Sequence, residues 1–204
     1  ATLANWNAPE YTDIFDQAEV NFDEKQELAD TIAGALGRRS DQLVIDAIDA
    51  ITPSSTVAHG SAGLTMAKVI DAQVALRGQA VPNANLYAAI NSAGLGGLLK
   101  DEKATSADYQ AVKALVSGGV NSLAGFQFII LDDRAEGGLT VTSNTVDSYF
   151  FSRDAVGLAI GIDMKTSVDW VAQKTSWLCN GMMKAGSVVR DVDGICKVEY
   201  KDNV

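Results

Sequence analysis

The sequence is poor in the residues that most often carry catalysis, with one histidine and two cysteines among 204 residues. The histidine, His59, lies in a loop rich in glycine and serine, without an acidic or thiol residue at a fixed spacing. A Ser-His-Asp or Cys-His site needs a base that a third group orients, and nothing near His59 supplies one. Cys179 and Cys196 lie in separate apolar segments and lack the paired spacing of metal ligands, so we expect two buried, reduced thiols. The sequence therefore predicts no catalytic residue and no metal site.

Long apolar runs and an excess of positive charge are also missing. No stretch of about 18 apolar residues could span a bilayer, and no basic start precedes an apolar segment, so we expect no contact with a membrane. The chain begins with Ala1 and not Met, and we expect that residues upstream were removed or lie outside this sequence. Acidic residues outnumber basic ones 26 to 16, a formal charge of −10, which argues against nonspecific binding of phosphates. This acidity suits a container wall that must not adhere to nucleic acid, and it is equally explained by solubility alone.

Two local patterns suggest ligand binding only superficially. The string AGLGG at residues 93–97 follows a predicted strand, but it lacks the third glycine of a dinucleotide fingerprint and is better explained by close packing of a short helix. Asp132 and Asp133 lie in an acidic loop without the alternating ligands of a calcium site, so we interpret them as solvated. We therefore predict no cofactor and no enzymatic activity. A small-molecule enzyme stays open as an alternative, because a site can be assembled from distant positions.

The first third of the chain predicts an arm followed by a long helix. Residues 1–22 carry apolar side chains without a sustained period, which is typical of an extended arm. Asp23 can cap a helix start with Gln26 completing a capping box. An apolar stripe then continues to about residue 51, and at about 1.5 Å per residue the helix would be roughly 43 Å long. It comprises Leu28, Ile32, Ala35, Leu36, Leu43, Ala47, Ile48 and Ile51.

The remainder mixes helices and strands, so the predicted fold class is α+β. A second helix follows Thr65 and ends at Gly78, and the chain changes character after Pro82. A short third helix begins at Ser92, and a fourth follows Ser106 and ends at residues 118–119. Strands are predicted at residues 86–90, 126–130, 146–151, 155–160, 164–170, 177–182, 187–190 and 195–200.

Five segments in order resemble the major capsid proteins of tailed bacteriophages. They are FDEKQELADTIAGALGRRSDQLVIDAI, GLTMAKVIDAQVALRGQAVP, ALVSGGVNSLAGFQFIILDD, FFSRDAVGLAIGIDMKTSVDW and KAGSVVRDVDGICKVEY. The similarity spans about residues 10–200. It implies the fold shared by tailed-phage and herpesvirus shells, known from a Hong Kong phage, in which a peripheral domain carries a long spine helix and an axial domain lies near the capsomer axes.

The resemblance assigns a role to each part of the chain. Residues 1–22 would be the end of the extended loop, 23–82 the peripheral helices, 83–160 the axial domain, 161–184 the peripheral strands and 185–204 the strands returning to the axial domain. The family usually has an N-terminal arm and a full extended loop before the spine helix, and this sequence departs from that pattern at its start.

The implied function is that of a structural virion protein. Copies of the chain would form hexamers and pentamers of an icosahedral head, assembled in the host cytoplasm, which encloses DNA without sequence-specific binding. Scaffolding, portal and decoration proteins are the further partners that the resemblance implies. A bacterial encapsulin shell, which encloses a cargo enzyme, is the alternative within the same fold. The predicted subunit-interface residues are Trp6, Tyr11, Phe15 and Phe22 on the arm, Arg38 and Arg39 on the spine helix, and Asp132, Asp133 and Arg134 in the acidic loop.

Overall fold

The computed structural model describes residues 1–19, 23–82, 84–101, 122–131 and 138–202. The described elements, in chain order, are β1 (Ala4–Asp13), α1 (Ile14–Glu19), α2 (Glu24–Asp49), β2 (Ser55–Val57), α3 (Met66–Gly78), β3 (Leu86–Ile90), α4 (Ser92–Lys100), β4 (Ser122–Leu123), β5 (Phe126–Ile130), β6 (Val141–Thr142), β7 (Thr145–Ser152), a 3₁₀ turn (Arg153–Ala155), β8 (Val156–Val171), β9 (Ser176–Val189) and β10 (Ile195–Lys201). None of the described helices combines the length and the apolar composition needed to cross a membrane.

The chain divides into two compact units. Unit 1 comprises Ala1–Val44 and Leu158–Val188, and unit 2 comprises Ile45–Gly157 and Val189–Val204. The resemblance groups residues 45–82 with the spine helix among the peripheral helices. They belong instead to unit 2. The physical reason is that α3 packs against β2 and β10, whose parallel pairing joins residues 55–57 to residues 196–198 in the sheet of unit 2.

Unit 1 is built from α1, the part of α2 up to Val44 and a three-stranded sheet in the order β1-β9-β8. The predicted arm is a strand over Ala4–Asp13, because it pairs antiparallel with β9 from Ala4 opposite Ala185 to Asp13 opposite Ser176. The segments predicted as two strands at 155–160 and 164–170 form the single strand β8, and those at 177–182 and 187–190 form β9. Cross-strand hydrogen bonding carries each strand through the glycines that interrupt its pattern.

The long helix α2 begins where the sequence predicts. The Asp23 carboxylate accepts a hydrogen bond from the Lys25 amide at 3.2 Å, while the Gln26 side chain donates to Asp30 at 3.1 Å. The helix packs through Ile32 and Leu36 on the buried β9 side chains Cys179, Met183 and Ala185. Packing is close at Gly181, where a Cβ atom would lie 2.3 Å from Ile32 Cγ2 and 2.9 Å from Leu36 Cδ1. The first part of the apolar stripe, at Ile32 and Leu36, thus forms the core of unit 1 together with β9.

Unit 2 contains a mixed sheet of seven described strands. Six of them follow the order β2-β10-β7-β3-β5-β4, with β6 paired to β7. Pairing is parallel between β3 and β5 and between β2 and β10, and antiparallel between β7 and both of its neighbours β3 and β10. The rings of Phe126 and Phe150 meet edge to face at 4.9 Å within the core of this sheet. The mixture of helices and sheets confirms the predicted α+β class.

The glycine-rich string 93–97 has a packing role. Asn91 caps α4 by accepting a hydrogen bond from the Gly94 amide at 2.8 Å, and the Tyr200 hydroxyl donates to the same Asn91 oxygen at 2.6 Å. A Cβ atom at Gly94 would lie 2.5 Å from the Tyr200 hydroxyl, and one at Gly97 would lie 2.8 Å from the Leu64 carbonyl oxygen. The predicted close packing of a short helix is therefore what the structure contains.

Lys68 anchors the loop before α3. The side chain is buried, and its ammonium donates to the carbonyl oxygens of His59, Ala62 and Gly63 at 2.8–2.9 Å and of Glu199 at 3.3 Å. These charge-assisted bonds fix the loop against β10. Thr65 occupies the cap position of α3 without a side-chain cap bond, and the Asp101 carboxylate instead accepts from the Met66 amide at 2.9 Å.

Candidate subunit-interface residues

Two of the predicted interface residues, Trp6 and Arg39, meet within one chain. The guanidinium carbon of Arg39 lies 4.0 Å from the centroid of the Trp6 ring. Trp6 is partly buried and also packs against the core cluster of unit 1, which includes Ile32, Leu36 and Met183. A cation–π contact of this kind contributes about 0.5–1 kcal/mol at an exposed site and more when desolvated. Trp6 and Arg39 therefore hold the β1 strand against α2, whatever further contacts they make.

The other two described interface candidates of the arm, Tyr11 and Phe15, are exposed to solvent. Tyr11 is 44% exposed, with the Lys174 ammonium 3.8 Å from its ring centroid, and Phe15 on α1 is 70% exposed. Phe15 has the highest exposed fraction of the large apolar side chains described. An aromatic ring left in water is the composition expected of an interface anchor. Phe22 lies outside the described residues.

Arg38 differs from its neighbour Arg39 in what it touches. It is half-buried, and its Nη1 atom lies 3.4 Å from the place that a Cβ atom at Gly34 would take. The absence of a side chain at Gly34 lets the guanidinium lie along the helix surface. Asp132, Asp133 and Arg134 of the acidic loop fall outside the described residues, so their contacts stay a prediction.

The polar side chains of unit 2 form structural ties. A shallow cavity of about 200 Å³ is lined by Asp49, Tyr149, Lys197 and Glu199 among others. The Tyr149 hydroxyl donates to Asp49, and the Lys197 ammonium pairs with Asp147 at 2.8 Å and Glu199 at 3.3 Å. Burial and the bond to Asp49 raise the pKa of Tyr149 well above its ordinary value. Burial lowers the pKa of Lys197, but the two carboxylates outweigh it and raise that pKa. Both groups stay protonated at neutral pH and are poor nucleophiles.

The other residues considered for chemistry are equally structural. The His59 ring accepts a hydrogen bond from the Ser61 amide at 2.9 Å through Nδ1, which is a local turn contact. Cys179 and Cys196 are free and buried, as predicted, and burial raises the pKa of both thiols. Among the described ranges, no group of three or more His, Cys, Asp or Glu side chains is placed to bind a metal ion.

Comparison with known proteins identifies the family of this chain. The sequence profile described as "Phage capsid protein" matches residues 1–202. The chain belongs to the phage capsid protein family. No protein of curated function matches it. Membership of this family makes the chain a structural component of a virion, in which copies of the capsid protein form the assembled shell.

Solved structures share the fold at low sequence identity. The chain is similar to a protein of Mycobacterium phage Che8, with 18% identity, a TM-score of 0.71 and coverage of 96% of this chain and 70% of that one. It is also similar to the head structure of Helicobacter pylori bacteriophage KHP40, with 10% identity, a TM-score of 0.77 and coverage of 98% and 76%. The SrpI encapsulin of Synechococcus elongatus PCC 7942 matches at 9% identity and a TM-score of 0.65, over 100% and 75% of the two chains. These likenesses confirm the predicted capsid fold.

One surface was not singled out from the sequence. The large apolar side chains of β8 lie exposed on a strand of unit 1, although the alternation of Met164, Thr166, Val168 and Trp170 suggests a half-buried strand. The alternation of these side chains can be read from the sequence. The sequence does not indicate whether another part of the chain covers the apolar face.

Proposed function

We propose that this chain is the major capsid protein of a tailed bacteriophage, whose hexamers and pentamers close an icosahedral head around the phage genome. The observation that carries the proposal is the match of the capsid family profile over residues 1–202. The mechanism is physical: identical subunits bury complementary surfaces in closed rings. Each contact can be modest, because many contacts in a closed lattice reinforce one another.

The charge of the chain supports enclosure of DNA without specific binding. With a formal charge of −10, the wall would repel phosphate groups and leave the packed genome free of adhesion. Specific recognition needs basic and amide side chains that reach the bases, and phosphate affinity needs lysine and arginine. The acidic residues outnumber these cations by 26 to 16.

The two units correspond to two proposed places in a capsomer. Unit 1, with α2 up to Val44 and the three-stranded sheet, would be the peripheral domain, and unit 2 the axial domain. On this proposal residues 45–82 are axial, in contrast to the sequence-based assignment. The arm residues Tyr11 and Phe15, exposed on unit 1, would contact neighbouring subunits. The loop at residues 132–138 would lie near a capsomer axis, as the resemblance to phage capsid proteins implies.

We propose that the chain is not an enzyme and needs no cofactor to act. The polar side chains around Tyr149 and Lys197 are held in ion pairs and hydrogen bonds that stabilise the fold. Its partners would be further copies of itself, with scaffolding, portal and decoration proteins. Assembly would take place in the host cytoplasm.

A compartment shell of the encapsulin type is the second candidate. The likeness to the SrpI encapsulin covers the whole of this chain at a TM-score of 0.65, so the fold is common to both classes. The family profile favours the phage protein, because it is a phage capsid family that matches. The two candidates differ in what they enclose.

Electron microscopy of the purified full-length product tests the proposal. We expect closed icosahedral particles of uniform diameter when any upstream residues and a scaffold are supplied. Nucleic acid inside particles produced during infection supports the phage head, and a protein cargo supports the compartment. A product that stays monomeric under all of these conditions overturns both candidates.

A further inference from the structure

The strand β8 carries a row of apolar side chains that face solvent. We call Leu158, Ile160, Ile162, Met164, Val168 and Trp170 the β8 strip; each is between 38% and 55% exposed. They occur at every second position, interrupted only by Thr166, so an uninterrupted strand places them on one face. From Leu158 to Trp170 the strip is about 40 Å long, at about 3.3 Å per residue.

Contacts at both ends of β8 show which face of the sheet this is. Trp170 meets the β9 residue Trp177 with ring centroids 5.3 Å apart, and the ammonium of Lys25 on α2 lies 3.8 Å from the Trp177 ring. At the other end, a Cβ atom at Gly161 would touch Lys184, which points away from the face that Met183 and Ala185 share. Ile160 and Ile162 therefore lie on the same face as Met183. The β8 strip and α2 share one face of the sheet.

Coverage of that face is uneven. On β9 the residues Cys179, Met183 and Ala185 are buried beneath Ile32 and Leu36 of α2. On β8 the side chains of the same face are about half in water. The described charges of the strand are Asp163, Lys165 and Asp169, which alternate onto the opposite face, so the β8 strip is uncharged.

The backbone of β8 is open as well. The sheet order β1-β9-β8 places β8 at an edge, and within the described chain no strand pairs with its outer side. Proteins usually protect long edge strands with proline, inward-pointing charges or covering segments. β8 has 16 residues and no proline. A long edge without proline, beside an apolar strip whose charged neighbours lie on the opposite face, can pair with another chain.

We infer that the β8 strip is a contact surface for a second copy of this chain. The inference rests on the proposed function, which brings identical chains together in a shell. A standard interface of about 800 Å² per partner is about 30 Å across, so the strip is long enough to cross one. DNA and anionic membranes are bound through basic side chains, which the strip lacks. The apolar surface of another subunit fits its chemistry.

Oxidative footprinting of the unmodified protein tests this contact directly. Met164 in the strip and Met182 on the opposite face of the same sheet are 38% and 37% exposed, and so form a matched pair. We expect hydroxyl-radical oxidation of Met164 to fall at least fivefold between the monomeric chain and assembled particles that carry no decoration protein. Met182 reports whether the protection is confined to the strip. Equal oxidation of Met164 in both forms overturns the inference.

A pair of variants separates this inference from the proposed function. Ile160→Lys places a charge in the strip, and Val188→Lys makes the same kind of change on the opposite face of β9, where Val188 is 39% exposed. We expect Ile160→Lys to lower the particle yield at least tenfold with an unchanged circular dichroism spectrum, and Val188→Lys to assemble. Normal assembly of Ile160→Lys overturns the inference and leaves the proposed function intact. Failure of the wild-type chain to assemble under any condition overturns the proposed function itself.

Discussion

Replacement of Gly181 by alanine tests how closely α2 packs on the sheet. The added Cβ atom would lie 2.3 Å from Ile32 Cγ2, whereas carbon atoms in contact are about 3.5–4.0 Å apart. Overpacking of this kind costs about 1–3 kcal/mol. Gly181 does not have a positive φ, so alanine also gains about 0.4–1 kcal/mol by restricting the unfolded chain. We therefore expect a net loss of about 1–2 kcal/mol in the free energy of unfolding.

Gly37→Ala is the matched control. Gly37 lies within α2, and a Cβ atom there would have no neighbour within 4 Å. Alanine should raise the stability of the helix by about 0.5–1 kcal/mol because glycine loses more conformational freedom on folding. The two glycine-to-alanine changes should thus act with opposite signs.

Urea unfolding of the unassembled chain, followed by tryptophan fluorescence, measures the difference. Trp6, Trp170 and Trp177 are the three tryptophans of the sequence and all belong to unit 1, so the signal reports the unit that contains the change. The Gly181→Ala change should also cost less in an Ile32→Ala background, with a coupling of about 0.5–3 kcal/mol. Equal stability of the Gly181→Ala and Gly37→Ala variants, without coupling to Ile32, would refute the described packing.

Two further predictions concern assembly and alkaline stability. Arg38→Glu should lower the particle yield at least tenfold without changing thermal unfolding. Arg39→Glu should lower the yield and also destabilise unit 1, because it loses the contact between Arg39 and Trp6. A particle yield of Arg38→Glu equal to that of the wild type would contradict an interface role for Arg38. Burial raises the pKa of Cys196 to about 11, and burial with Asp49 raises that of Tyr149, so the unfolded chain loses these protons at lower pH than the folded one. The stability they contribute is complete below a pH of about 8.5 and is lost as pH rises. Tyr149→Phe should flatten the decline above a pH of about 10 in urea titrations.

Local periodicity predicted most of the elements of this fold. The α2 stripe, the cap at Asp23 and the alternation in β5, β7 and β10 are short-range signals that the structure keeps. The predicted side-chain cap at Thr65 is not formed, and Gln26 bonds Asp30 instead of completing a capping box. The helix predicted after Ser106 lies outside the described residues. The continuity of β8 and β9 was missed, because Gly161 and Gly186 interrupt their alternation. Packing requires the glycine at Gly186, since a Cβ atom there would lie 2.1 Å from the Thr2 carbonyl oxygen, whereas at Gly161 a Cβ atom would lie 2.9 Å from the exposed Leu3 side chain, which can move.

The candidate interface was harder to predict because aromatic and arginine side chains serve inside a chain as well as between chains. The composition that marks Trp6 and Arg39 as interface residues also describes their contact with each other. In β8 the sequence pattern indicates an apolar face, and only the folded structure shows that α2 leaves this face uncovered. A closed shell needs apolar surfaces that the folded monomer leaves exposed and that a neighbouring subunit covers. The informative side chains are therefore those, such as Ile160 at 55% exposure, that a stable monomer would have buried or made polar.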